Sequence, residues 1–123
     1  MRTYLTNCLC PKCNGRLRTT DVKGYAFVCP ECDENFYSIE VTTVHGENAE
    51  IIITGVSEAE FTKHVKELQN LSEKMGCHSL GYAVFPELII IGLKHIPTSK
   101  EVENLVKVLD KVKNRVEDNQ TYL

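Results

Sequence analysis

Two short cysteine motifs constrain this chain more than any other feature: Cys10-Pro11-Lys12-Cys13 and Cys29-Pro30-Glu31-Cys32, separated by 15 residues. Two residues between cysteines let one tight turn aim both sulfurs at a single point. Two such turns, joined by a hairpin, complete a tetrahedron of thiolates about 2.3 Å from a metal ion. Proline at the second position of each motif presets φ for the turn. Asn14 and Asp33 follow the motifs, and after glycine these residue types best tolerate the left-handed backbone expected there. The spacing is that of a zinc site holding one ion. Iron in a rubredoxin-like site and a redox-active cysteine set are the alternatives the spacing leaves open. Four thiolates leave no coordination position for substrate or water, so the expected role of the metal is structural.

Composition narrows the setting. The chain has 123 residues, 42% hydrophobic and 25% charged, which is ordinary for a globular protein and argues against wholesale disorder. Its formal net charge of −3 excludes a generally basic nucleic-acid coat, so any such contact must use a local patch. No apolar run approaches the ~18 residues of a membrane span, and Met1 to Asn7 lack the apolar core of a signal peptide. The expected location is therefore cytoplasmic, or nuclear in a eukaryote, with no membrane partner. In a reducing compartment, paired Cys-x-x-Cys motifs point to metal rather than to disulfides.

The pattern divides near residue 40. In 1–40, strands are expected around Arg16–Thr20, Gly24–Val28 and Phe36–Val41, the first two joined by a turn at Asp21–Gly24. Strands are then expected over Phe36–Val44 and Ala49–Val56, with a turn at His45-Gly46-Glu47-Asn48 between them. A helix follows. Ser57 and Glu60 form a capping box, Phe61, Val65, Leu68, Leu71 and Met75 recur at helical spacing, and Gly76 closes it. The plan then repeats. Ser79–Phe85 and Leu88–His95 read as a hairpin turning at Pro86-Glu87. Thr98 and Glu101 open a second helix whose stripe is Val102, Leu105, Val106, Leu109, Val112 and Val116. The segment Glu50-Ile-Ile-Ile-Thr-Gly echoes Glu87-Leu-Ile-Ile-Ile-Gly. The expected fold is α+β: a zinc ribbon of short antiparallel strands in 1–40, then a small α+β domain in 41–123. That domain would be an antiparallel sheet with two helices on one face, in the order strand-strand-helix twice. A ferredoxin-like arrangement is the alternative, and it would need Thr121-Tyr122-Leu123 as a closing strand.

The stretches Cys10-Pro-Lys-Cys-Asn-Gly-Arg-Leu and Tyr25-Ala-Phe-Val-Cys-Pro-Glu-Cys resemble the zinc-ribbon family. They look most like the ribbons of small RNA polymerase subunits and of transcription initiation and elongation factors. The resemblance covers about the first 40 residues and implies one structural zinc held by Cys10, Cys13, Cys29 and Cys32. Ribbons also occur in ribosomal proteins, transposases, topoisomerases and metabolic enzymes, so the resemblance does not select a partner.

Further residues can be weighed singly. Arg16 and Arg18 flank Leu17 on an expected strand, so they share a face while Leu17 turns inward. With Lys12 in the knuckle, Lys23 in the hairpin turn and Tyr25 on the next strand they form a candidate nucleic-acid patch. Residues 1–40 carry Arg2, Lys12, Arg16, Arg18 and Lys23 against Asp21, Glu31, Asp33, Glu34 and Glu40, so an ordinary solvated face is the competing reading. Cys8 is read as a spectator thiol. Cys77-His78, with His64 or Cys8, lacks the spacing of a second metal site, and His45 and His95 are read as structural or surface residues. No Ser/His/Asp set, phosphate loop or paired-carboxylate motif stands out, so a non-enzymatic protein is expected. The function expected is an accessory module that docks on nucleic acid or on nucleic-acid machinery. The alternative is a protein–protein adaptor or homodimerisation module with a purely structural zinc.

Overall fold

The computed structural model of the chain describes residues 3–44, 46, 48–74 and 81–121, with the backbone alone for Ser72 and 114–121. His45, Met75, the Gly76 cap, Cys77-His78, Ser79 and Tyr122-Leu123 lie outside the described residues, as does the side chain of Val116.

Among the described residues, eight strands form one open antiparallel sheet: β1 (Leu5–Leu9), β2 (Arg16–Thr19), β3 (Phe27–Cys29), β4 (Glu34–Phe36), β5 (Thr42–Thr43), β6 (Ala49–Thr54), β7 (Gly81–Val84) and β8 (Leu88–Leu93). The spatial order is β4-β3-β2-β1-β6-β8-β7, with β5 also pairing with β1. Three helices, α1 (Glu58–Thr62), α2 (Val65–Lys74) and α3 (Ser99–Thr121), complete the α+β fold. Ile51 and Ile53 of β6 and Ile89 and Ile91 of β8 are buried with Phe61, Leu68, Leu105 and Leu109 of the helices. Removing each such side chain from water contributes about 1.5–3 kcal/mol, which fixes the helices on that face. Leu17, Phe27 and Phe36 of the ribbon strands belong to the same buried cluster.

The observed elements differ from the expected ones in several places. Strand β1 was not foreseen, yet it has β2 on one side and both β5 and β6 on the other. Its Thr6 and Asn7 are polar, which hides it in a hydrophobicity pattern, but both are buried and bonded. Asn7 sits where the neighbour changes from β6 to β5. Its amide donates to Asn48 O at 3.0 Å and accepts from Glu50 N–H at 2.7 Å, replacing the bonds a continuous strand would have made. The expected strand Phe36–Val44 is interrupted by a 3-10 turn at Ser38–Glu40. The expected first helix is two helices. His64 N–H bonds back three residues to Phe61 O, a tight turn that separates α1 from α2, and Phe61, His64 and Leu68 on either side of it are all buried. At its start, Ser57 accepts from Glu60 N–H, while the Glu60 carboxylate takes Lys63 rather than returning the bond. The capping box of α3 is complete: Glu101 N–H donates to Thr98 Oγ1, and Thr98 N–H donates to Glu101 Oε1. Thr121 ends α3 rather than opening a closing strand.

Alternation and register also define the face away from the helices. Ile52 lies opposite Ile51's face, and directly paired residues share a face. Val28, Arg18, Leu5, Ile52, Ile90 and Ala83 are therefore one row across the helix-free face, each paired to the next.

Candidate metal centre and the surface around it

The chain folds so that each cysteine motif becomes a turn. Cys10 N–H donates to Gly15 O at 2.8 Å and Asn14 N–H to Cys10 O at 2.9 Å, closing the first knuckle between β1 and β2. Glu34 is paired with Cys29 across the second knuckle, between β3 and β4. Asn14 (φ 62°) and Asp33 (φ 52°) take the left-handed backbone that lets the chain leave each knuckle. Gly15 serves space rather than conformation: a Cβ there would lie 3.3 Å from Cys13 Sγ.

The β2–β3 hairpin brings the knuckles together. The Sγ atoms of Cys10, Cys13, Cys29 and Cys32 all lie within 4.8 Å of one another. Cys13 Sγ is 3.5 Å from Cys29 Sγ, and Cys10 Sγ is 3.9 Å from Cys32 Sγ. A tetrahedron with metal–sulfur bonds of about 2.3 Å has edges of about 3.8 Å, so the four sulfurs stand at metal-binding separations. They are too far apart for disulfide bonds. Two backbone N–H groups already point at sulfur, Lys12 N–H to Cys10 Sγ and Cys32 N–H to Cys29 Sγ, both at 3.4 Å. Such donors stabilise thiolate, the form that binds metal. The four cysteines can thus hold one metal ion.

Protons are shared unevenly in the metal-free cluster. Burial opposes ionisation of Cys10, but N–H donation from Cys13 and Lys12 outweighs it and lowers the thiol to about 7. Contact with Cys13, then burial, pushes Cys32 up to about 12. Cys13 is pulled down by the Gly15 N–H, yet its contacts with Cys29 and Cys10 leave it raised. Four thiolates this close repel one another, and a dication removes that cost. Cys8 is different. It is fully buried on β1, and burial pushes its thiol up to about 11 against the hydrogen bond from Thr6. That is the environment of an inert core thiol.

The five residues of the candidate nucleic-acid patch occupy three places. Arg16 and Arg18 are on the helix-free face, paired across β1 with Leu9 and Leu5. Arg16 is exposed and makes no ion pair among the described residues. Arg18 is held by Thr3, donating from Nε to Thr3 Oγ1 at 3.1 Å and from its terminal nitrogen to Thr3 O at 2.9 Å. Lys12 is not with them: it forms a 2.6 Å ion pair with Glu34, a carboxylate from another strand that spacing along the chain does not reveal. Lys23 and Tyr25 line a cleft of about 250 Å³ against Ser99 and Glu103 of α3. Tyr25 also stacks on Tyr37, with centroids 4.6 Å apart, a contact between residues 12 apart that sequence reasoning missed. Among the described histidines, His95 Nε2 lies 3.0 Å from Glu101 Oε2, bracing the start of α3, and His64 lies 3.3 Å from Glu67. Among the described residues, no helix is long and apolar enough to cross a membrane.

No family model matches the chain, and no curated protein or solved structure matches it.

Proposed function

We propose that the protein is a non-enzymatic accessory module in which one zinc orders a ribbon that docks on nucleic acid or on nucleic-acid machinery. The observation that carries this reading is the pair Arg16 and Arg18 on the helix-free face, with Leu5, Leu9 and Val28 half-buried around them. Among the described residues Arg16 has no competing ion pair, and Arg18 is already held by Thr3, so little side-chain freedom is lost when it meets a phosphate. The exposed ring of Tyr37, backed by Tyr25, adds a surface on which a base can stack. The likeness of the knuckles to transcription-factor ribbons supports the same reading. Zinc rather than iron suits the role, because a docking module needs rigidity and no redox step. The working site is inside the cell, where reducing conditions keep four thiols available for metal.

Binding to labelled single- and double-stranded DNA and RNA, followed by anisotropy against salt, tests the proposal. The expected result is sequence-independent binding whose salt slope falls by about two when Arg16→Glu and Arg18→Glu are combined, with zinc content unchanged. Glu34→Gln releases Lys12 and is expected to steepen the slope by about one. No affinity for any of these polymers at low salt would overturn docking on nucleic acid itself.

A protein–protein adaptor is the second reading, and one observation favours it. Ile39 is 93% exposed at the tip of the 3-10 turn, with Tyr37 and Val44 also exposed nearby in sequence. An isoleucine so displayed is the kind of anchor that fills a partner's pocket. Capture of one protein after nuclease treatment, lost with Ile39→Asp, would select this reading over the first.

A further inference from the structure

The two edges of the sheet differ. Edge strand β4 carries Glu34, whose carboxylate is engaged by Lys12. Edge strand β7 reads Gly81-Tyr82-Ala83-Val84, followed by Phe85-Pro86, with no charge in the segment. Natural proteins blunt exposed edges with charge, bulges or cover, and β7 has none of these among the described residues. Tyr82 is 46% exposed and Phe85 50% exposed.

Hydrogen-bond alternation says which groups of β7 are free. Phe85 N–H donates to Leu88 O at 2.9 Å, and Ala83 and Gly81 pair with Ile90 and Gly92 in the same ladder. The peptide groups of residues 81, 83 and 85 therefore face β8, and those of Tyr82 and Val84 face outward. Shape alternates along the same strand. Gly81 and Gly92 are paired side by side and form the floor of a hollow of about 350 Å³. A Cβ at Gly81 would meet nothing within 4 Å. Phe85 shares the face of Gly81, because the two are four residues apart on an alternating strand.

We propose that β7 pairs antiparallel with β7 of a second copy, about a two-fold axis at Ala83. In that register Tyr82 lies opposite Val84 of the second copy, and their outward N–H and C=O groups satisfy one another in roughly four new hydrogen bonds. Ala83 meets Ala83. Phe85 lies opposite Gly81 of the second copy and enters the hollow over its glycine pair. The same two-fold places the second copy's Phe85 in the first hollow. Tyr82, already edge-on to Phe61 at 5.2 Å, gains the second copy's Val84 as cover. A second copy fits better than an arbitrary extended segment, because knob, hollow and outward peptide groups recur at self-complementary positions and no like charges are brought together. The contact is small, so the dimer belongs with weak, reversible interfaces. It joins two helix-free faces into one and doubles whatever docks there.

Sedimentation of the zinc-loaded full chain from about 1 µM to about 1 mM tests this. The expected result is a reversible monomer–dimer equilibrium. Ala83→Lys and Ala83→Glu each place like charges opposite one another and weaken the dimer by roughly up to fivefold, while an equimolar mixture of the two associates more tightly than either alone. Phe85→Ser empties the hollow and weakens it too. Val84→Pro removes an outward N–H without touching the bonds to β8, so association is lost, whereas Val84→Ala, which loses the same core packing but keeps the N–H, leaves the outward hydrogen bonds to be made. A wild type that stays monomeric overturns the proposal, and that is the outcome if the edge serves an extended segment of another protein. A dimer indifferent to Ala83→Lys and Phe85→Ser, or a charge-swapped mixture that fails to associate, overturns it as well.

Discussion

Tyr4 donates a 2.7 Å hydrogen bond from its hydroxyl to Asp110 Oδ1, tying the entry to the first strand to the last helix across 106 positions of sequence. Tyr4 is buried and its backbone N–H is bonded to Thr19 Oγ1, so one residue joins strand β1, strand β2 and helix α3. The ribbon is thereby anchored to the α-helical layer. Tyr4→Phe keeps the packing and loses the bond to a carboxylate. The expected cost is about 1.5 kcal/mol, or a fall of several degrees in melting temperature, read by thermal and urea denaturation.

Zinc binding should follow the cysteines and pH. Elemental analysis of protein purified without added metal is expected to give one zinc per chain. Cys8→Ser keeps it and Cys29→Ser loses it. Zinc binds thiolate, while the metal-free cluster holds thiols at about 7 for Cys10 and about 12 for Cys32. Bound ligands are therefore depressed relative to free ones, and the stabilisation from zinc is present at higher pH and lost as pH falls. Cys32 is already a thiol at about pH 8 and contributes a fall of about tenfold per unit across the whole range, and below about pH 7 Cys10 adds a further factor of up to about tenfold per unit. Competition against a chromophoric chelator between about pH 8 and about pH 5 measures the slope.

Removing the metal should not unfold everything. A chelator is expected to release the knuckles and the β3–β4 edge, while the pairing of β6 with β8 and the helices above them persists. Residues from about 41 onward carry much of the apolar core and two capped helix starts, against a zinc contribution of roughly 10–16 kcal/mol concentrated at the ribbon. Hydrogen exchange with circular dichroism at 222 nm separates the two regions. Loss of the helical signal at the same chelator concentration as the knuckle amides would show that β1 makes the chain one cooperative unit.

Backbone substitutions probe the knuckles independently of the ligands. Asn14 and Asp33 hold left-handed conformations that cost an L-residue about 1 kcal/mol relative to glycine. Asp33→Gly is expected to raise stability by about 0.5 kcal/mol, and Asp33→Ala to lower it by about 1 kcal/mol. Gly15→Ala instead crowds Cys13 Sγ, so zinc affinity should fall while the zinc-free protein changes little. A zinc titration of the three variants distinguishes conformation from space.

The sequence alone determined the parts whose cause is local. Spacing within each Cys-x-x-Cys is enough to make a knuckle, Asn14 and Asp33 are where the left-handed turn must fall, and Thr98 and Glu101 cap a helix by reaching only three residues. The apolar periods around Ile51, Ile89 and Leu105 likewise report burial that any α+β packing requires. Tertiary structure decided what depends on partners distant in the chain. Strand β1 carries polar Thr6 and Asn7, and it becomes a strand because Leu17 O, Asn48 O and Glu50 N–H accept or supply their bonds. Lys12 leaves the company of Arg16 and Arg18 because Glu34, brought alongside by β3–β4 pairing, attracts it more closely than any residue of its own turn. The expected single helix breaks at His64, where the N–H bonds back three residues to Phe61 O; Phe61 and Leu68 are seven residues apart and share a face in a straight helix too, so the apolar period does not register the break. Local propensity sets which turns and helices form, and burial over the whole sheet sets which strand lies beside which and where each charge ends.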